Sequence, residues 1–392
     1  MNAPAAYDLN PIGTVALVGG LLALAPLLWV WLRPASVLPG ERTAARLKTL
    51  TMVTLFLTFD LVLFGAFTRL SDSGLGCPDW PGCYGSASPL GAQAQIQSAQ
   101  SALPSGPVTH GKAWVEMIHR YLATGVGALI TVLAVMSWLE ARKRRAALSP
   151  WWATATLVWV CAQGAFGALT VTMKLYPAIV TLHLLGGLTG LALLAIQREG
   201  YRREPLSLPP RLHNAAVVIA VLSVLQIALG GWVSTNYAVL ACRDFPTCQG
   251  SMWPAMDFEH GFALFRELGE GKDGGFLPFA ALTAIHYAHR LGAYVVLAAM
   301  AWLAWALHAG GDPSLRRWAQ GVAAIALWQL LSGLSNVLLG WPLIGAVAHT
   351  AGAAAWVTLL AMLLTRARQT RTAHVPRGGA NRPLTSAPRT AP

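Results

Sequence analysis

Charge is scarce in this chain. Of 392 residues only 11% are Asp, Glu, Lys or Arg, while hydrophobic residues reach 55%. A water-soluble domain carries roughly 25% charged residues, so a soluble globular protein is excluded and an integral membrane protein is expected. Alternation of apolar and polar residues is lacking too. The apolar runs are continuous, which excludes a transmembrane barrel, and in lipid such runs satisfy their backbone only as helices. Cysteine is rare, at five residues, and no Cys-x-x-Cys-His occurs, which excludes covalent haem attachment of that type. The first apolar run lacks the basic start and cleavage site of a signal peptide, so it is kept as a helix. An amphipathic, Arg- and Ser-rich leader is also missing, which favours a bacterial inner membrane over a mitochondrial one.

About nine runs are long enough to cross a hydrocarbon core of ~30 Å. They lie near 11–32, 50–68, 113–139, 151–173, 177–197, 213–235, 279–307, 318–340 and 343–365. Acidic residues are scarcer than basic ones, and the formal net charge is +12. That value would suit a nucleic-acid partner, but its distribution argues against one. Twenty of the 28 Lys and Arg residues fall in the linkers after the odd-numbered segments 1, 3, 5 and 7 and in the C-terminal tail. Arg142-Lys143-Arg144-Arg145 is the densest run. The bias is the positive-inside pattern, which places the N-terminus outside and the C-terminus in the cytoplasm.

The chain repeats itself at a spacing of about 165 residues. Residues 65–85 read GAFTRLSDSGLGCPDWPGCYG and residues 230–250 read GGWVSTNYAVLACRDFPTCQG. Cys77, Asp79, Pro81 and Cys83 align with Cys242, Asp244, Pro246 and Cys248. Further on, Glu116, His119 and Arg120 align with His286, His289 and Arg290, and His183 aligns with His349. The expected organisation follows. Residues 1–49 form an extra N-terminal transmembrane helix and basic linker, 50–197 one four-helix bundle, 198–212 a cytoplasmic linker, 213–365 a second bundle, and 366–392 a disordered basic tail. The fold class is an all-α integral membrane protein with two tandem pseudo-symmetric four-helix bundles.

His119, His183, His289 and His349 each lie within about ten residues of the external end of their segment, hence within ~15 Å of one interface. Within each unit the two histidine helices run in the same direction and can sit diagonally. Two inward imidazoles at one depth on diagonal helices suit bis-histidine haem ligation. The plain alternative is interhelical hydrogen bonding. Zinc is disfavoured because each pair lacks the third protein ligand of a usual zinc site. On its own helix His286 competes with His289 as the ligand, and the repeat alignment favours His289. Arg120 and Arg290 sit inside apolar segments, where an unpaired charge costs several kcal/mol; haem propionates would be suitable partners, and snorkelling is the alternative. Glu116 has His286 as its counterpart, which points to chemistry in the first half alone; simple pairing with Arg120 is the alternative. In an oxidising compartment Cys77/Cys83 and Cys242/Cys248 are expected to form disulfides, with a redox role or haem handling as the other reading. Cys161 is expected to be a packing residue.

These features resemble the haem A synthase family. The segment RLSDSGLGCPDWPGC, the Glu-x-x-His-Arg at the start of the next helix, and four histidines over two four-helix repeats carry the resemblance across residues 50–365. The family core has eight helices, so the first helix and the tail stand outside it. The resemblance implies oxidation of the ring methyl of haem O to a formyl group, giving haem A for cytochrome oxidase assembly. It implies substrate haem at His119 and His183, an accessory haem b at His289 and His349, a catalytic role for Glu116, and the family's cysteine pair at Cys77 and Cys83. The implied partners are haem O, a haem O synthase, an electron donor and the lipid bilayer, with no nucleic acid; a homo-oligomer is compatible. The alternative is a dihaem b-type membrane electron carrier, which gives no reason for a glutamate in one half only.

Overall fold

Continuous apolar runs become helices wherever the backbone has no solvent to bond, and the structure, a computed structural model, follows that rule. It describes residues 7–33, 41–143, 146–202, 204–271 and 275–373. Arg144, Arg145, Arg203, Lys272 and everything beyond Ala373, including His374 and most of the basic tail, lie outside the described residues. Among the described residues nine helices are long and apolar enough to cross a membrane. They are α1 (Ile12–Leu32), α2 (Arg42–Leu70), α4 (His110–Arg142), α5 (Trp151–Thr172), α6 (Pro177–Arg202), α7 (Pro210–Thr235), α9 (Phe279–Ala309), α10 (Pro313–Leu338) and α11 (Leu343–Ala373). Two short helices, α3 (Gln93–Ala102) and α8 (Phe258–Gly261), lie in the long loops. Helix starts carry the expected chemistry: Thr109 accepts from the Lys112 amide, and Asp312 accepts from the Ser314 amide ahead of Pro313. The helix α11 continues through the first residues of the segment expected to be tail.

In the N-terminal half α2 packs on α4, α4 on α5, α5 on α6, and α6 returns to α2; α7, α9, α10 and α11 repeat the order in the C-terminal half. The histidine-bearing pairs α4/α6 and α9/α11 are therefore the diagonals. The two halves meet along α6 and α11, flanked by α6 on α7 and α11 on α2. Leu50, Leu129, Leu133, Leu191 and Leu194 fill the first core, and Leu303, Leu307, Val322 and Leu363 the second. At the end away from the long loops, Glu199 is fully buried and paired with Arg198 and Arg366, which ties α6 to α11.

The repeat holds at the level of single backbone angles. Asp72 and Tyr237 both have left-handed φ values, 55° and 53°, where each loop leaves its helix, and Gly85 and Gly250 match at 72° and 75°. Where the halves touch, the Tyr237 hydroxyl donates to Asp72 Oδ1 at 2.7 Å, and Arg69 Nη2 donates to the Ser234 carbonyl at 2.8 Å. Each of these contacts joins residues 165 positions apart, which are equivalents of one another.

The helix α1 breaks the symmetry. It lies against α4 and α2, and a Cβ on Gly19 would come within 2.5 Å of Thr124, so the glycine permits the close approach typical of small-residue helix contacts. Ahead of it, strand β1 (Tyr7–Asp8) pairs in parallel with β2 (Trp80–Pro81) of the first cysteine loop. Cys161, expected to be packed, is instead exposed on α5.

Candidate functional site

The four histidines sit near the loop ends of their helices, as the segment boundaries predicted: His119 in α4, His183 in α6, His289 in α9 and His349 in α11. Each imidazole lies over a glycine of the neighbouring helix. A Cβ on Gly65 or Gly230 would stand 3.0 Å from Cε1 of His119 or His289. The same atom on Gly167 or Gly333 would stand 3.5 or 3.4 Å from Cε1 of His183 or His349. All four rings line one continuous cavity of about 910 Å³ that runs through both halves.

The second pair shows what such an arrangement can hold. The His289 and His349 ring centroids are 6.4 Å apart and nearly perpendicular, at 86°. With a metal–imidazole bond of about 2 Å on each side, axial ligands of one metal have ring centres roughly 6 Å apart, so the gap admits one iron. In the first half the Nδ1 atoms of His119 and His183 are buried and have no hydrogen-bond partner among the described residues. Among those residues no group of three or more His, Cys, Asp or Glu side chains could hold a metal ion. Paired imidazoles in a large apolar cavity fit a haem, whose macrocycle supplies the remaining ligands.

His286 has contacts on both ring nitrogens. Its Nδ1 lies 3.1 Å from the Ala238 carbonyl, and its Nε2 accepts from Arg290 Nε at 3.2 Å. It is His289 that lies opposite His349.

The arginines do something the sequence did not reveal. Arg120 Nη1 donates to the carbonyls of Asp79 (2.9 Å) and Gly82, and Arg290 Nη1 donates to those of Asp244 (2.8 Å) and Thr247 (2.9 Å). Each buried guanidinium thus fastens a cysteine loop over its bundle. The structure joins Cys77 to Cys83 and Cys242 to Cys248 as disulfides, as expected. Within each loop an aspartate accepts two successive backbone amides: Asp79 from Tyr84 and Gly85, Asp244 from Gln249 and Gly250. The Thr247 hydroxyl, followed by the Gly250 amide, holds the Asp244 carboxyl well below its ordinary value, at about 2. The sequence offered haem propionates as suitable partners for Arg120 and Arg290, with snorkelling as the alternative. In the structure both guanidinium groups bond loop carbonyls, and an incoming anion would have to share them.

Glu116 lines the cavity and is itself buried. Its Oε1 pairs with Arg120 Nη2 at 2.6 Å, and its Oε2 accepts the Cys77 amide at 2.8 Å. The pairing weighed from the sequence is therefore present, and it links the carboxylate directly to the backbone of a disulfide cysteine. In the second half His286 stands in this place and Arg290 has no carboxylate partner among the described ion pairs.

Sequence reasoning also missed two polar contacts on the second pair. Gln226 Nε2 lies 3.0 Å from His289 Nδ1, and Ser332 Oγ lies 3.0 Å from His349 Nδ1. The signal was available as a failure of the repeat, since the equivalent positions are Leu61 and Phe166.

Comparison with known proteins gives a consistent result. A family profile described as "Cytochrome oxidase assembly protein" matches residues 48–362. A protein of Shewanella oneidensis named Heme A synthase is 38% identical over 313 residues, covering 79% of this chain and 93% of the relative. Proteins of the same name from Chelativorans sp. and Methylobacterium radiotolerans are 30% and 28% identical, over 75% and 82% of this chain and 83% and 89% of theirs.

Proposed function

The chain belongs to the family of cytochrome oxidase assembly proteins, and from that premise we propose that it is a haem A synthase. It is a multi-pass membrane oxidoreductase that converts the ring methyl of haem O to the formyl group of haem A. The observation that carries the reading is the duplicated diagonal histidine pair, seated on glycines around one cavity, with a glutamate beside the first pair only.

On this reading His119 and His183 hold the substrate haem O, and His289 and His349 hold a resident haem b. When bound, haem b supplies one-electron carriage between the substrate site and an external donor or acceptor. Glu116 lines the same cavity and would position water or move protons as the methyl group undergoes successive two-electron oxidations. Arg120 fixes that carboxylate by a charge-assisted bond and closes the Cys77–Cys83 loop above it. The apolar walls and this loop exclude bulk water from the reacting methyl. Arg290 closes the second loop, and its uncompensated charge favours the carboxylates of a haem on that side. In a bacterial inner membrane the Lys and Arg bias would put the loops and N-terminus in the periplasm and the C-terminus in the cytoplasm. A haem O synthase and an electron donor are the partners this chemistry requires, and a homo-oligomer is compatible with it.

The test is coexpression with a haem O synthase followed by acid–acetone extraction and mass analysis of the haems. Haem A, lost on His119→Ala, is the expected result. Haem b alone, with haem O left unconverted, would replace this reading with that of a dihaem electron carrier.

A further inference from the structure

The two histidine pairs are alike in depth and in their glycine seats, and they differ in what lies behind the rings. A metal-ligating histidine normally donates its second N–H to a protein acceptor, which fixes the tautomer and strengthens the ligand. Ser332 is placed to accept at His349. Its single hydroxyl hydrogen points to the Trp328 carbonyl at 2.7 Å, so Oγ is left to accept from His349 Nδ1–H at 3.0 Å. With the hydroxyl so assigned, the proton sits on Nδ1 and Nε2 keeps its lone pair. Gln226 can serve His289 in either tautomer, because a carboxamide presents an NH2 and an oxygen in nearly the same shape. As drawn, its Nε2 bonds His289 Nδ1 and the His289 carbonyl, both at 3.0 Å, while Oε1 is buried without a partner. Ligation through His289 Nε2 requires the turned amide, with Oε1 accepting from Nδ1–H and the Nε2 bond to the His289 carbonyl given up.

The first pair has no such support. At the positions equivalent to Gln226 and Ser332 stand Leu61 and Phe166, and the buried Nδ1 atoms of His119 and His183 have no partner among the described residues. An iron bound there would leave two N–H groups buried and unbonded, which weakens the bound state.

We propose that Gln226 and Ser332 are positioning residues that hold the Nδ1 protons of His289 and His349 and so retain the C-terminal haem, whereas Leu61 and Phe166 leave the N-terminal haem free to exchange. The proposal deepens the synthase reading and rests on it. A cofactor has to stay through many turnovers, and a haem that is substrate and then product has to leave after each one.

The experiment uses the full chain, coexpressed with a haem O synthase and purified in detergent. Excess apomyoglobin is added as haem acceptor, and the haems in each fraction are separated by chromatography over time. In the wild type haem O and haem A pass to apomyoglobin while haem b stays. Ser332→Ala combined with Gln226→Leu speeds haem b release on the order of 10–100-fold and raises the reduction potential of the haem b still bound. Ser332→Thr, which keeps the hydroxyl, behaves as wild type, and Leu61→Gln slows the loss of haem O and haem A. Unchanged release and potential in the double variant overturn the proposal, as does equal behaviour of Ser332→Ala and Ser332→Thr. If the wild type holds haem b alone and makes no haem A, it is the synthase reading that fails. Release and potential of haem b in the serine and glutamine variants then still decide the role of these residues.

Discussion

The two halves are the same device built with different remainders. Both fasten a disulfide loop with a buried arginine that reaches carbonyls at equivalent positions, and both set two histidines over glycines. In the first half the arginine is neutralised by Glu116, and the imidazoles lack polar backing. In the second the arginine meets His286, and the imidazoles are backed by Gln226 and Ser332. Shared parts describe what the proposed function asks of both sites, which is to seat a flat macrocycle beneath a closed loop. The differing parts describe what each site does alone.

Exchanging ligands breaks the comparison most completely. His183→Ala should abolish haem A while leaving haem b in place, and His349→Ala should remove haem b, both read by haem extraction of the purified chain. Next comes the carboxylate. Glu116→Gln should lower haem A formation by roughly 10²- to 10⁴-fold, the usual worth of a proton-handling group, whereas His286→Gln should leave the haem O to haem A ratio near wild type. The arginines should then separate the halves by stability. Arg120→Met strands a buried carboxylate and should cost about 3–5 kcal/mol. Arg290→Met strands only neutral acceptors and should cost about 1–3 kcal/mol; thermal unfolding in detergent reads both.

Smaller effects test the seats. Gly65→Ala and Gly230→Ala press a methyl against an imidazole at 3.0 Å and should shift the absorption of the haem in their own half. Gly167→Ala and Gly333→Ala make ordinary contacts and should leave the spectrum unchanged. The smallest effect concerns acid. Asp244 has its carboxyl lowered from 3.8 to about 2. Its contribution to the second loop is therefore complete above about pH 4 and lost as pH falls through about 2. Protease sensitivity of residues 243–251 in that window should rise in the wild type and be independent of pH in Asp244→Asn.

Long-range apolar order was legible in the sequence. Nine segments, the two bundles, the disulfide pairs and the diagonal histidines all follow from hydropathy, spacing and the direction of alternate helices. The helix α3 was not, because its Gln- and Ala-rich sequence buries only Ile96 and carries no apolar period. The loop-fastening role of Arg120 and Arg290 was hidden for another reason. Their acceptors are backbone carbonyls some forty residues away, and a carbonyl has no residue type to recognise. The strand pairing of Tyr7–Asp8 with Trp80–Pro81 escaped in the same way. Ser332 and Gln226 looked like ordinary polar residues of membrane helices until the residues that replace them in the other half were set beside them.

The contacts between Asp72 and Tyr237, and between Arg69 and Ser234, have an evolutionary meaning. A residue lying on the twofold axis of a dimer of identical chains can meet only itself, so an aspartate there would face an aspartate and an arginine an arginine. Once two copies are fused into one polypeptide, each axial position can mutate on one side alone. A carboxylate can then be given a hydroxyl donor, and a guanidinium a carbonyl, as this chain has done. Covalent joining thus turned the least tolerant points of a symmetric assembly into its most freely diversified ones. The same freedom is open to the histidine pairs, whose surroundings differ between the halves.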